Sequence, residues 1–435
     1  MSRGIEEAAG GDVAILRLSK AILLPFVFSL GFMQPPIELL GFKAIPGDFI
    51  YLALVASIGL AIARDQLRPR WHPVFGALIL YGGALALSAL FSSDPWRSAV
   101  KMLTQAYLLS LPIIVVWLVR TERDFRGLVI SWLLATALVG MSCLLALTLF
   151  FAAPHSALLQ FMTSDFGTLP PGDYPRLRLT FMNMNLLCNY LTASLGLVFI
   201  AWRMHWLGQP QALALFILTI LAATFTISPG LGGVALLAGW LLWLSLRQQH
   251  ARTAVVARAA GLVAAILVIP AMAVTPILHP TAPFRFRVPG TDIILAPAGR
   301  LLTWLDACRN FVSHPLIGRG IGNDAVSVRY QNPSGFVEHL TDAHNTFLNI
   351  AVQAGLIGLG ALCVLLWQLL VIFRREQRSN ALVPTVLAFS FLDALAYEGL
   401  GGSFEDARHL WVLLGLLLAG TMIFKGQAGE ASRRG

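Results

Sequence analysis

The stretch that decides the fold is "TDAHNTFLNIAVQAGLIGLGALCVLLWQLLVIFRREQR", residues 341–378. It opens on polar residues around Ala343, runs apolar from about 346 to 373, and stops at Arg374 and Arg375. An α-helix rises about 1.5 Å per residue, so roughly 20 apolar residues cross a hydrocarbon core about 30 Å thick. This run is long enough to cross, and charge begins where it would leave lipid. The spacing predicts a transmembrane helix with His344 at its mouth.

Working outward, the same pattern recurs. Of 435 residues, 57% are hydrophobic and 12% charged, with mean hydropathy +0.73; a soluble domain carries about 25% charged residues. The apolar runs are continuous rather than alternating, which excludes a transmembrane β-barrel. Runs of spanning length lie near 15–34, 45–63, 73–91, 100–119, 128–152, 184–203, 211–228, 230–246, 253–274, 346–373, 381–397 and 409–424. The expected fold is an all-α polytopic membrane protein of about twelve transmembrane helices, with a large loop subdomain between the ninth and tenth. The first run lacks a small-residue cleavage site and reads as a retained span. The break between the seventh and eighth rests on "SPGLGG" at 228–233, where a proline and glycines favour a turn.

The net charge of +9 is distributed by side. With both termini placed together, one face collects Arg64, Arg68 and Arg70, Arg120, Arg123 and Arg126, Arg203, Arg247, Arg252 and Arg258, and Arg374, Arg375 and Arg378. Terminal residues bring it to 19 of the 31 basic residues. That face reads as cytoplasmic, and the charge needs no nucleic-acid partner. The division that follows is 1–274 for helices one to nine, with a loop at about 153–183; 275–345 for a folded helical cap; 346–424 for helices ten to twelve; and 425–435 for a cytoplasmic tail. Cys143, Cys188, Cys308 and Cys363 show neither a ready disulfide pair nor metal-ligand spacing. Neither cofactor nor metal is expected.

Loops longer than about 12–15 residues are usually functional or disordered. The 275–345 segment holds Trp304, Phe311, Tyr330 and Phe336. "RLLTWLDACRNFV" at 300–312 has helical periodicity in Leu301, Trp304, Leu305, Cys308, Phe311 and Val312. This predicts a folded cap.

Four motifs carry candidate chemistry, all on the side away from the termini. Thr341 or Asp342 would cap the helix after the cap segment, with His344 in its first turn. A helix N-terminus disfavours a protonated imidazole, so His344 reads either as a neutral general base or as an interface residue; the residue alone leaves both open. Ala351, Gly355 and Gly358 form a small-residue stripe that would admit a neighbouring helix. In "YPRLRLTFMNMNLLCNYL", 174–191, Arg176 and Arg178 share a face if the segment is extended. They suit either phosphate oxygens or lipid headgroups. In "GRLLTWLDACRNFVSHPLIGRGIGND", 299–324, Arg300, Arg309 and Arg319 are basic. The alternating Gly318, Gly320 and Gly322 lack the lysine of a phosphate loop and suit folding against the cap. In "YEGLGGSFEDARHLW", 397–411, Glu398, Glu405, Asp406, Arg408 and His409 read as an internally paired rim or as acid–base support. Asp393 falls within a span.

His344-Asn345, nine residues, Gly355, two residues, Gly358: this pattern resembles the signature of the O-antigen ligase and O-antigen polymerase family. "HPLIGRGIGN" upstream is similar to that family's approach to it. The resemblance implies a metal-independent, multi-spanning glycosyltransferase of the bacterial inner membrane with both termini cytoplasmic. It would move a glycan from undecaprenyl pyrophosphate, on the periplasmic face, to lipid A core or to another lipid-linked glycan. It implies His344 as the base and Arg300 as a pyrophosphate clamp, with Arg178, Arg176, Asn345 and Arg319 toward pyrophosphate or glycan. Family members commonly carry Ser-Arg-Gly at the outer end of a middle span. Here Ser228-Pro229-Gly230 stands there, so Arg178 or Arg176 would supply the charge. A secondary transporter would show repeated halves and intramembrane charge, and a scaffold would leave the convergence of arginines and histidine unexplained. The lean within the family is toward ligase.

Overall fold

In the computed structural model, residues 14–39, 42–163, 175–228, 230–246, 286–287, 294–295, 299–331, 337–402 and 407–424 are described. Among them are thirteen helices: α1 (Ala14–Ser29), α2 (Pro46–Ala63), α3 (Val74–Leu90), α4 (Pro95–Leu118), α5 (Glu122–Ala152), α6 (Ala157–Met162), α7 (Met184–Arg203), α8 (Gln209–Thr224), α9 (Leu231–Leu246), α10 (Gly299–Ser313), α11 (Thr346–Arg378), α12 (Leu382–Gly401) and α13 (Arg408–Ile423). Three short antiparallel pairs complete the fold: β1 (Ile37–Leu39) with β2 (Phe42–Ala44), β3 (Phe286–Arg287) with β4 (Ile294–Leu295), and β5 (Val328–Gln331) with β6 (Val337–Leu340).

The chain is a nearly all-α polytopic membrane protein. Five helices, α2, α4, α5, α7 and α11, are long and apolar enough to cross a membrane, and five shorter apolar helices accompany them. Eleven of the twelve expected runs fall on helices; the run at 253–274 lies outside the described residues. The break expected at 228–233 is present, since α8 ends at Thr224 and α9 begins at Leu231.

Two helices form the centre. Every residue of α7 from Leu186 to Ala201 and of α13 from His409 to Thr421 is buried. Around them α5 stacks Trp132 on Tyr190 of α7, 5.4 Å between ring centroids, and Trp132 Nε1 donates to Ser194 at 2.9 Å. Side chains on the peripheral helices, such as Leu52, Leu134, Ile217 and Trp367, stay exposed, as expected where the solvent is lipid. Polar caps start the helices: Asp94 on α4, Thr121 on α5, Asn183 on α7 and Asn345 on α11. Lys20 reaches Asp124 at 2.7 Å, tying α1 to the start of α5.

The cap is a mixed unit rather than a helical one. α10 and the β5–β6 hairpin meet over a small core of Ala307, Ala325, Val326, Ala343 and Val352, flanked by Trp304, Phe311, Val328 and Leu348. The helix at 300–312 forms as expected, but its buried face differs. Thr303 and Ala307 are buried, while Leu305, Cys308 and Val312 are exposed. The periodicity identified a helix; it could not tell which apolar side chains face this small core.

Candidate active site

The β5–β6 hairpin delivers the site. Its last pair, Val328 with Leu340, returns the chain two residues before Asp342. Ala325 and Val326 N–H both donate to the Thr341 carbonyl. From α10, Trp304 Nε1 donates to the Ala343 carbonyl at 2.9 Å, and Thr303 reaches the same oxygen at 3.4 Å. The peptide next to His344 is therefore pinned from outside the helix it precedes.

His344 itself stands before α11, not in its first turn. The cap is Asn345, whose Oδ1 accepts from Phe347 and Leu348 N–H at 3.0 and 3.1 Å. Neither Thr341 nor Asp342 takes that role. His344 adopts φ +50°, a left-handed conformation that non-glycine residues rarely hold. Asp342 supports it: Oδ1 accepts from His344 N–H at 2.5 Å and lies 3.6 Å from Nδ1. Asn349, one turn into α11, donates to Asp342 Oδ2 at 2.9 Å and accepts from Ala343 N–H at 3.0 Å. The carboxylate is thus held by its own partner. The His344 side chain remains 46% exposed, open to a substrate. Backbone strain braced by surrounding structure tends to mark functional positions. Sequence reading assigned Asp342 to capping and missed it as the imidazole's neighbour; the signal was its two-residue spacing from His344.

Gly355 also has a different role from the one its spacing suggested. It sits at φ +65° and breaks α11 into two helical parts. Into this break runs the loop after α10. Leu356 N–H donates to the Pro315 carbonyl at 2.8 Å and Ile357 N–H to Leu316 at 3.2 Å. On the other strand of the exchange, Arg319 N–H donates to Val352 at 2.9 Å and Gly320 N–H to Gln353 at 3.0 Å. Donors and carbonyls orphaned by the break are satisfied by "HPLIGRG". A Cβ on Gly355 would collide with the Leu316 carbonyl, and one on Gly358 with Ala354 of the same helix. The loop enters beside Gly355, while α3 packs along the same helix, its Ser88 Oγ donating to the Gln353 carbonyl at 2.5 Å.

Arg300 is the second residue of α10, four before Trp304. Arg176 and Arg178 lie in an extended segment in which Leu177 bridges Thr163, but they are anchored to different elements. Arg176 Nε donates to the Thr226 carbonyl and Arg178 Nε to that of Phe161, each at 3.1 Å. Arg176 is thereby fixed beside the α8–α9 turn, two residues ahead of Ser228. That turn is packed hard: Ser228 Oγ donates to Asn185 at 2.8 Å and shares a 2.5 Å hydrogen bond with the Tyr397 hydroxyl. Pro229 lies outside the described residues.

Among the described residues of the 397–411 motif, the cationic and imidazole side chains pair with other elements. Arg408 pairs with Asp48 of α2 at 3.2 Å. His409 is fully buried, 2.6 Å from Asn189 Oδ1, while Asn189 donates to the Ala394 carbonyl at 2.7 Å. These groups knit the central helices. Glu405 and Asp406 lie outside the described residues. Asp393 is buried against Gly233 between α12 and α9.

Arg319 and the three loop glycines face a separate wall. Gly318, Gly320 and Gly322 all have positive φ and press on α11, on the α3–α4 turn and on the start of α4 respectively. Ser98 Oγ donates to the Ile321 carbonyl at 2.5 Å. Asp324 accepts from Arg97 at 2.7 Å. The glycine loop is therefore a clasp between the cap and two membrane helices, as its lack of a lysine suggested. Among the described residues no three His, Cys, Asp or Glu side chains converge as metal ligands would.

A comparison with curated proteins finds no match. A family comparison does. Residues 212–363 span the α8–α9 turn, the cap, the clasp loop and the His344–Gly355–Gly358 signature, and they match the family model described as O-antigen ligase; the match supports the O-antigen ligase and polymerase family, whose members are enzymes of glycosyltransferase type.

Proposed function

We propose that this protein is an O-antigen ligase-type glycosyltransferase that moves a glycan from undecaprenyl pyrophosphate to a sugar hydroxyl of lipid A core. In this reading it lies in the bacterial inner membrane with twelve spans, cytoplasmic termini and a periplasmic cap over the site. The observation that carries the reading is the His344–Asp342 pair, held by Asn349 and Trp304 and left half-exposed at the head of the signature helix.

His344 takes the proton of the acceptor hydroxyl as that oxygen attacks the anomeric carbon of the donor. The bond from that carbon to the pyrophosphate oxygen breaks, and undecaprenyl pyrophosphate leaves with the electron pair. A positioned base contributes about 10²–10⁴-fold. Guanidinium groups offset the leaving charge. Arg300 is a candidate because it lies one turn before Trp304 on α10. Arg176 is the favoured replacement for the arginine missing from Ser228-Pro229-Gly230, because it is tied to Thr226 in the same turn. Arg178 and Arg319 remain candidates for pyrophosphate or glycan. Asn345 contributes through its cap. No metal or cofactor takes part.

Deleting the gene and examining the glycans tests the reading. Ligase activity predicts full-length polymer accumulating on the lipid carrier, unattached to lipid A core. Lipid-linked single repeat units alone would instead identify a polymerase, and unchanged surface glycans would reject both.

A further inference from the structure

The α3–α4 turn and the glycine clasp border an open-sided cavity of roughly 580 Å³, within the range of about 300–1,000 Å³ usual for ligand pockets. His344, Arg176 and Arg178 do not line it; Phe91, Asp94, Arg97, Arg319, Asn323 and Asp324 do. Both walls are fixed. Asn323 Nδ2 donates to Ser92 and Ser93 at 3.1 Å each and to the Arg319 carbonyl at 2.6 Å. The same loop is bonded into the break of α11, so the cavity and His344 are mounted on one helix.

Its chemistry is mixed rather than cationic. Two carboxylates face two guanidiniums, and the Arg97–Asp324 pair at 2.7 Å neutralises one of each. A pyrophosphate site requires an excess of positive charge, which Asp94 and Asp324 remove. A sugar presents hydroxyls that both donate and accept, together with apolar C–H faces. Arg319 supplies donors, the Asn323 amide oxygen, Asp94 and Asp324 acceptors, and Phe91, 66% exposed beside them, supplies a flat apolar ring.

We propose that this cavity is a saccharide subsite that holds part of a glycan away from the reacting hydroxyl. The choice of glycan rests on the transferase reading above, and the subsite assigns Arg319 to sugar rather than to pyrophosphate.

The test uses the full chain in lipid nanodiscs. The probe is a delipidated oligosaccharide released from the host's surface glycan, followed by saturation-transfer NMR and titration. The expected result is binding to the wild type that Phe91→Ala and Arg319→Ala each weaken by at least about tenfold, or 1.4 kcal/mol, with inorganic pyrophosphate failing to displace the sugar. Phe91 is exposed, so its truncation leaves the fold intact. Binding unchanged in both variants, absence of binding, or displacement by pyrophosphate would overturn the subsite. A parallel transfer assay on His344→Ala separates the two claims. An inactive His344→Ala with normal sugar binding by the cavity variants removes the subsite alone. A fully active His344→Ala with the expected loss of binding removes the base alone.

Discussion

At the scale of single residues, the proposed base is His344, braced by Asp342, which Asn349 holds in turn. Asp342 lies 3.6 Å from Nδ1 and can hold the ring in one orientation. Replacing Asp342 by Asn removes the carboxylate while keeping a hydrogen-bond acceptor. In a transfer assay kcat should fall by about 10–100-fold as the ring loses its orientation. An unchanged kcat would mean that Asp342 serves the fold alone. His344 was legible in the sequence because polar residues at the mouth of a long apolar run are few. Asp342 was not, because a carboxylate before a helix reads first as a cap, and only the structure shows Asn345 in that place.

At the scale of elements, α11 carries the account. Apolar periodicity runs unbroken through 346–373, so the sequence shows one helix there. The break at Gly355 depends on backbone hydrogen bonds from a loop some forty residues upstream, and no side-chain pattern encodes them. Gly355→Ala would force a Cβ into a left-handed residue and into the Leu316 carbonyl. It should cost at least about 1–3 kcal/mol, read as a lower unfolding midpoint in detergent and earlier proteolysis of the cap. Gly360, five residues on, meets nothing within 4 Å, and Gly360→Ala should leave the midpoint unchanged. Equal effects from both substitutions would refute the break. The same reasoning separates the two arginines of the 174–191 motif. Their i, i+2 spacing suggested one clamp, and the carbonyls of Thr226 and Phe161 hold them on different elements.

At the scale of the whole molecule, hydropathy and charge gave most of the architecture. Continuous apolar runs have little choice of structure in a bilayer, and eleven of the twelve became helices. Which helices form the centre was less accessible. α13 and α2 are both apolar, and only α2 is long enough to cross a membrane, yet α13 is buried from His409 to Thr421 and α2 exposes Leu52, Val55 and Leu60. Orientation is testable with native thiols. Cys308 is exposed on the cap, while Cys143 and Cys188 are buried. A membrane-impermeant maleimide should label Cys308 in intact spheroplasts and leave Cys143 and Cys188 unlabelled until the protein is unfolded. Labelling of Cys308 only after the membrane is opened would invert the topology.

The central claim is that His344 serves as the base in glycan transfer from a lipid pyrophosphate. Its most direct test is a transfer assay with purified protein in nanodiscs, lipid-pyrophosphate-linked glycan and acceptor, comparing the wild type with His344→Ala at matched unfolding midpoints. The account predicts transfer by the wild type and a loss of at least about 10²-fold in the variant; a variant that transfers glycan at the wild-type rate would contradict it.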